Sequence, residues 1–151
     1  MVERLVRVGI DDAPPAPMQL GSPDTGDFRG YEVDLLNEIA RRAHFNLTFR
    51  RAVWSVIVRE LLADQVDLVC SAATITSERE RDVEFCHPHL NLGLAVVKRQ
   101  GITADIGING VRLGSRRGTT AEAYIKQHKL EPEQTSESNE ELYKSLHSRP
   151  N

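Results

Sequence analysis

The alternation of strand-like and helix-like patterning across residues 5–70 constrains this chain more than any other feature. Leu5 to Ile10 sets Leu, Val, Val and Ile against Arg and Gly, which predicts a first strand. Asp11 to Gly30 holds four prolines and three glycines and is read as loop. Tyr31 to Ala43 places Tyr31, Leu35, Ile39 and either Leu36 or Ala43 on one stripe, the pattern of an amphipathic helix. Phe45 to Phe49 is a second strand. Trp54 to Ala63 is a second helix with Trp54, Ile57, Val58, Leu61 and Leu62 turned inward, and Val66 to Cys70 is a third strand. Strand–helix–strand–helix–strand implies a parallel sheet with right-handed crossovers. Ligands of such sheets sit beyond the carboxyl ends of the strands. Three segments meet at that edge: Asp11 to Pro17, Ala52 to Ser55, and Ser71 to Thr76.

The third segment carries the chemistry. An apolar strand runs into Ser71, Ala72, Ala73, Thr74, Ile75 and Thr76, and Arg79 follows five positions after Thr74 on a short polar turn, Ser77 to Asp82. Small side chains let a ligand approach the backbone, hydroxyls donate, and a guanidinium grips two oxygens at once, so the arrangement suits a carboxylate. Each residue also has a plainer reading. Arg79 among Glu78, Glu80, Arg81 and Asp82 matches a solvated ion-pair partner. Thr74 and Thr76 match strand-end hydroxyls, and Asp11 followed by Asp12 matches turn chemistry.

Beyond this segment, Leu92 to Val97 reads as a fourth strand leading outward, and Lys98 to Gly101 as an exit linker. Val111 to Gly114 is read as a short strand, Ser115 to Thr120 as a loop, and Ala121 to His128 as a helix with Ala123, Tyr124 and Gln127 or His128 on successive turns. Thr119 or Thr120 caps it, leaving backbone N–H groups to hold an anion. Glu131 to Asn139 is polar, Glu140 to His147 is one more helix, and no further strand is expected.

Composition serves to exclude. At 151 residues the chain can bury one good core, or one domain plus part of a second. A net charge of -3 argues against a general nucleic-acid binder. No apolar run approaches the roughly 20 residues that span a membrane. Val2 to Val8 is charged and alternating, unlike an export leader, so a site of action outside the cytoplasm implies a leader absent from this chain. Cys70 and Cys86 form neither a disulfide framework nor a zinc pattern; Cys70 is expected buried and inert, and pairing of the two is left open. His87-Pro88-His89 lacks a well-placed third ligand, so no metal and no cofactor are expected.

Five motifs in order carry a family resemblance: Val8-Gly9-Ile10-Asp11, Gly30 to Leu35, Ala72 to Arg79, Phe85-Cys86-His87-Pro88-His89, and Gly118-Thr119-Thr120-Ala121-Glu122. Together they resemble the amino-acid-binding solute-binding proteins, two-lobed "Venus flytrap" receptors whose fold also serves as the ligand core of ionotropic glutamate receptors. The resemblance implies an α/β, two-lobed periplasmic-binding-protein-like fold with the first lobe nearly complete and the second partial. Residues 1–97 would be the first ligand-binding lobe, 98–103 the hinge, and 104–151 the partial second lobe. It implies a site for a free amino acid. Arg79 would clamp the α-carboxylate with Thr74, Ser71 and Ala72 beside it, and the Ala72 carbonyl would accept from the ammonium. Thr119 and Thr120 would donate from the second lobe, and Asp11 would face a polar ligand side chain.

Three departures stand out. The loop from Ala13 to Met18 has no aromatic lid, for which Trp54 or Phe28 could substitute. His87 and His89 replace acidic and aromatic residues. The acidic partner for the ammonium, and the segment returning to the first lobe, would lie beyond where this chain stops. The implied partners are an amino-acid ligand and a membrane transporter or a receptor's membrane domain, with no nucleic acid, at a periplasmic or extracellular location. A second copy could complete the unfinished lobe by domain swapping. The alternatives are a receptor's ligand-binding core and an enzyme of the cyclohexadienyl dehydratase kind, for which no catalytic carboxylate is placed.

Overall fold

The computed structural model describes residues 4–100, 112–130 and 132–148. Contacts divide the chain into two compact units, Met1–His87 and Pro88–Asn151.

The first unit contains β1 (Arg4–Asp11), α1 (Tyr31–Ala43), β2 (Phe45–Ala52), α2 (Trp54–Leu62) and β3 (Leu68–Val69), then a single 3₁₀ turn at Arg79–Arg81. Its sheet has the order β2-β1-β3, with both pairings parallel. The central strand is the best buried, with Val8 and Ile10 essentially inaccessible, and Ile57 of α2 closes over it. Each such side chain contributes roughly 1.5–3 kcal/mol of burial.

The start of α1 is closed by the proline loop. The Tyr31 and Glu32 amides donate to the Pro17 and Met18 carbonyls at 3.2 and 3.1 Å, replacing a side-chain cap. Gly30 permits this approach: its φ is +130°, and a Cβ there would lie 2.5 Å from the Met18 carbonyl oxygen.

Helix α1 is turned relative to the sequence expectation. Its inward line is Glu32, Leu36 and Ala40 with Val33, whereas Tyr31 and Ile39 are exposed. The shift of one residue is about 100° of rotation. The cause is a buried carboxylate: Glu32 is only 1% exposed, held inward by hydrogen bonds from other segments. Leu62, expected inward, is 59% exposed at the end of α2. The third strand is shorter than expected.

Residues 92–97 form no strand, and Leu92, Leu94, Val96 and Val97 are exposed. Apolar patterning alone makes no strand, because the backbone N–H and C=O groups need a neighbouring chain. None of the described strands pairs with this run.

The second unit contains β4 (Leu113–Arg116), α3 (Thr120–Gln127), β5 (Pro132–Ser136) and α4 (Asn139–Ser148). Strands β4 and β5 pair in parallel, with a register irregularity at Leu113/Gly114. Strand β5 corrects the expectation of a strandless polar stretch; as half of a two-stranded sheet it has little apolar surface to signal it. Ile125 supplies the buried contact of α3, and Ala123 and Tyr124 are exposed. Positions 101–103 of the expected hinge, and Val111, lie outside the described residues.

Candidate functional site

In the first unit, the carboxyl ends of β1 and β2 and the loop leaving β3 converge. The Asp11 amide donates to Ser71 Oγ at 2.8 Å, and the Cys70 amide donates to the Gly9 carbonyl at 3.1 Å. Asp11 and Ser71 are both buried, and Asp11 Oδ1 accepts from the Ala13 amide at 3.1 Å. The turn chemistry read for Asp11 is therefore present at the mouth of the loop.

Trp54 opens α2 immediately after β2 and packs with Ala52, Ile57 and Ala73. The Arg79 guanidinium lies over its ring, 5.1 Å from the centroid. Arg79 Nη1 donates to the Thr74 carbonyl at 2.7 Å. The Arg79 amide donates to Thr76 Oγ1 at 3.3 Å, which fixes the start of the 3₁₀ turn. Arg79 is half-buried, and burial lowers its pKa, opposed by the nearby Glu78 charge. An arginine stays charged under such a shift, so the site holds a partly desolvated cation with one face on an indole.

Ala72 sits at φ +48°, a left-handed conformation rare for a residue with a Cβ. Its amide donates to Glu32 Oε1 at 2.6 Å. Gln19 Nε2 donates to Glu32 Oε2 at 2.9 Å and to the Cys70 carbonyl at 2.6 Å. Burial, then the Glu32 carboxylate, pushes the Cys70 thiol up to about 12, so it is an inert side chain. Phe28 packs edge-on against Phe49, 4.9 Å between centroids, in the apolar cluster around β1. Trp54, the other aromatic read as a lid, is the one at Arg79.

Asp11, Trp54, Ser71, Ala72, Thr74 and Arg79 thus fall in one region of the first unit. Thr119 and Thr120 belong to the second. There Thr119 is the cap of α3: its Oγ1 accepts from the Glu122 amide at 3.4 Å and donates to the Arg116 carbonyl at 2.6 Å. Glu122 Oε2 accepts in return from the Gly118 amide at 2.7 Å. In the sequence Glu32 falls inside the Gly30 to Leu35 motif with no role of its own, and Gln19 lies in the proline loop unmarked. The line Glu32–Leu36–Ala40 was available as a competing periodicity, but nothing in the sequence near Gln19 marks it.

Among the described residues no three His, Cys, Asp or Glu side chains group as a metal site, and no helix is long and apolar enough to cross a membrane.

The family model "Bacterial extracellular solute-binding proteins, family 3" matches residues 6–148. The chain is 29% identical over 125 residues to the L-arginine-binding protein of Pseudomonas aeruginosa, covering 81% of this chain and 48% of that one. Over 84 residues it is 32% identical to the kainate 4 ionotropic glutamate receptor of Rattus norvegicus, covering 48% of this chain and 9% of the receptor. A crystal structure of an ancestral amino acid-binding protein, described as a precursor of cyclohexadienyl dehydratase, superposes with a TM-score of 0.84 at 26% identity, covering 95% of this chain and 66% of that one. The chain spans about half the length of the L-arginine-binding protein.

Proposed function

The chain belongs to the bacterial extracellular solute-binding proteins of family 3, and on that footing we propose that it binds a free amino acid for transport or sensing. Its α/β fold is that of the two-lobed periplasmic binding proteins, with the first lobe nearly complete and the second partial. The observation that carries the proposal is Arg79: a half-buried guanidinium laid on Trp54 beyond the carboxyl ends of a parallel sheet. In this reading it clamps the ligand α-carboxylate with Thr74, while Ser71 and Ala72 present backbone to the ammonium. Thr119 and Thr120 join the site on the family's pattern, and Asp11 serves the ligand side chain.

A carboxylate meeting this guanidinium makes charge-assisted bonds worth roughly 1.5–3 kcal/mol net. The names of relatives point to cationic amino acids as the first ligands to try, L-arginine above all. The experiment is a thermal-shift screen of the 151-residue chain against the proteinogenic L-amino acids. Ligand at about 100 times its Kd stabilises by about 2.7 kcal/mol, several degrees in Tm for a domain of this size. No shift with any of them would overturn the reading. Binding without turnover is part of the proposal, so prephenate and arogenate should emerge unchanged from incubation with the protein.

The proposed setting is periplasmic or extracellular, beside a membrane transporter or a receptor's membrane domain. The receptor reading is favoured by the match to a glutamate receptor. We also propose that a second copy completes the partial second lobe by domain swapping, which would cover exposed apolar side chains such as Tyr124 and Tyr143. A monomeric mass by light scattering at high concentration would rule this out.

A further inference from the structure

We propose that Gln19 and Glu32 form a buried latch that holds the loop after β3 in its binding shape, with Glu32 a positioning residue that acts through Ala72. Its effect on affinity rests on the amino-acid-binding reading above, whereas the latch itself stands on geometry alone.

Four observations carry it. First, Ala72 adopts a left-handed backbone at φ +48°, which its Cβ disfavours. Such conformations persist where the surroundings impose them. Second, the imposing contacts are present on both sides of Ser71. Glu32 Oε1 takes the Ala72 N–H at 2.6 Å, and Gln19 Nε2 gives to the Cys70 carbonyl at 2.6 Å. Third, the two side chains are joined to each other at 2.9 Å and are only 2% and 1% exposed. One amide and one carboxylate therefore clamp two neighbouring peptide groups from below. Fourth, the clamp links segments far apart in sequence: the proline loop, the first turn of α1 and the exit of β3.

The latch also orients an acceptor. A trans peptide sets its N–H and C=O in opposite directions. Holding the Ala72 N–H on Glu32 therefore turns the Ser71 carbonyl away from it. That carbonyl becomes a fixed acceptor for an ammonium, and Glu32 need not touch the ligand.

The charge state of position 32 matters because both of its oxygens accept. Glu32→Gln would turn an NH₂ group against either the Ala72 N–H or Gln19 Nε2, both donors. Gln19→Met removes the donor at nearly constant volume and tests the second half of the clamp without a charge change.

The test uses the 151-residue chain labelled with ¹⁵N. Amide hydrogen exchange at Ala72 is compared with that at Val8, in the core, and L-arginine binding is measured by calorimetry. In both variants Ala72 should exchange about 10-fold faster or more, while Val8 keeps its protection. Affinity for L-arginine should weaken by about 10- to 100-fold, the factor lost with one hydrogen bond to a charged group. Arg79→Ala should weaken binding by about 10- to 150-fold and leave Ala72 exchange unchanged, which separates the carboxylate contact from the latch. If the wild type binds no amino acid, the functional reading falls, and the Ala72-to-Val8 ratio still decides the latch. Equal acceleration of both amides, unchanged Ala72 exchange, or a freed amide with undiminished affinity would each overturn the proposal.

Discussion

Arg7 and Arg79 mark the two ends of the parallel strands in the first unit. Arg7 lies early in β1, beside the entry to β3, and faces carboxylates: Nη2 reaches Asp67 at 2.8 Å and Asp64 at 3.2 Å. Its own amide donates to Asp67 as well, at 2.7 Å, and its pKa is raised, chiefly by the Asp67 bond. Arg79, past the strand exits, rests instead on an indole face and a backbone carbonyl, and burial lowers its pKa. The same side chain is a staple at one end and a candidate receptor for an anion at the other. A guanidinium surrounded by the protein's own carboxylates leaves little for a ligand to gain. Arg79 Nη1 instead meets a backbone carbonyl, and its plane meets a ring, with the Glu78 charge nearby.

The sharpest way to break the contrast is at Trp54. Trp54→Ala should destabilise the protein by about 3–5 kcal/mol, since it removes a large buried side chain and the platform of Arg79 together. Chemical denaturation measures this. A loss under about 1 kcal/mol would mean the indole is a lid and not part of the core.

Next is the guanidinium itself. Arg79→Ala should cost about 1.5–3 kcal/mol in amino-acid affinity by calorimetry with little change in Tm, whereas Arg7→Ala should leave affinity intact and lower Tm. Equal losses of affinity in the two variants would erase the distinction. In the second unit, Thr119→Ala should cost about 1 kcal/mol through the lost cap of α3, read from its unfolding curve.

The smallest effect concerns pH. Asp67 is held at about 2, below its ordinary 3.8, first by the Arg7 bond, and Glu38 at about 2 by Arg41 and Arg42. A depressed carboxylate contributes stability that is present above its unfolded pKa and lost as pH falls through the folded one. Acid unfolding should therefore show a modest loss as pH falls from about 4 towards 2, reduced in Arg7→Ala. These groups are exposed, so the effect should be weak and should shrink further in high salt.

Much of this was legible in the chain. The strand–helix alternation from residue 5 to 70 yields the parallel sheet, because period-two and helical apolar patterns are local properties of the sequence. The order of Thr74, Thr76 and Arg79 singled out the loop after β3, and that loop does pack beside Asp11 and Trp54. Leu92 to Val97 shows the limit of such patterning: its apolar run reads as strand, yet the segment lies exposed. Strand β5 shows the reverse, a polar stretch recruited by pairing with β4.

What tertiary structure alone decided is the facing of α1 and the company of Arg79. Hydrophobic periodicity assumes that a helix buries its apolar stripe, so it pointed Tyr31 and Ile39 inward. A buried carboxylate follows a different rule: Glu32 goes where donors await it, and those donors come from Gln19 and Ala72, 13 and 40 residues away. Contacts between segments so distant leave no local pattern. Local patterning selects which residues can form a sheet and at which edge its loops gather; only the folded chain decides which polar groups meet there.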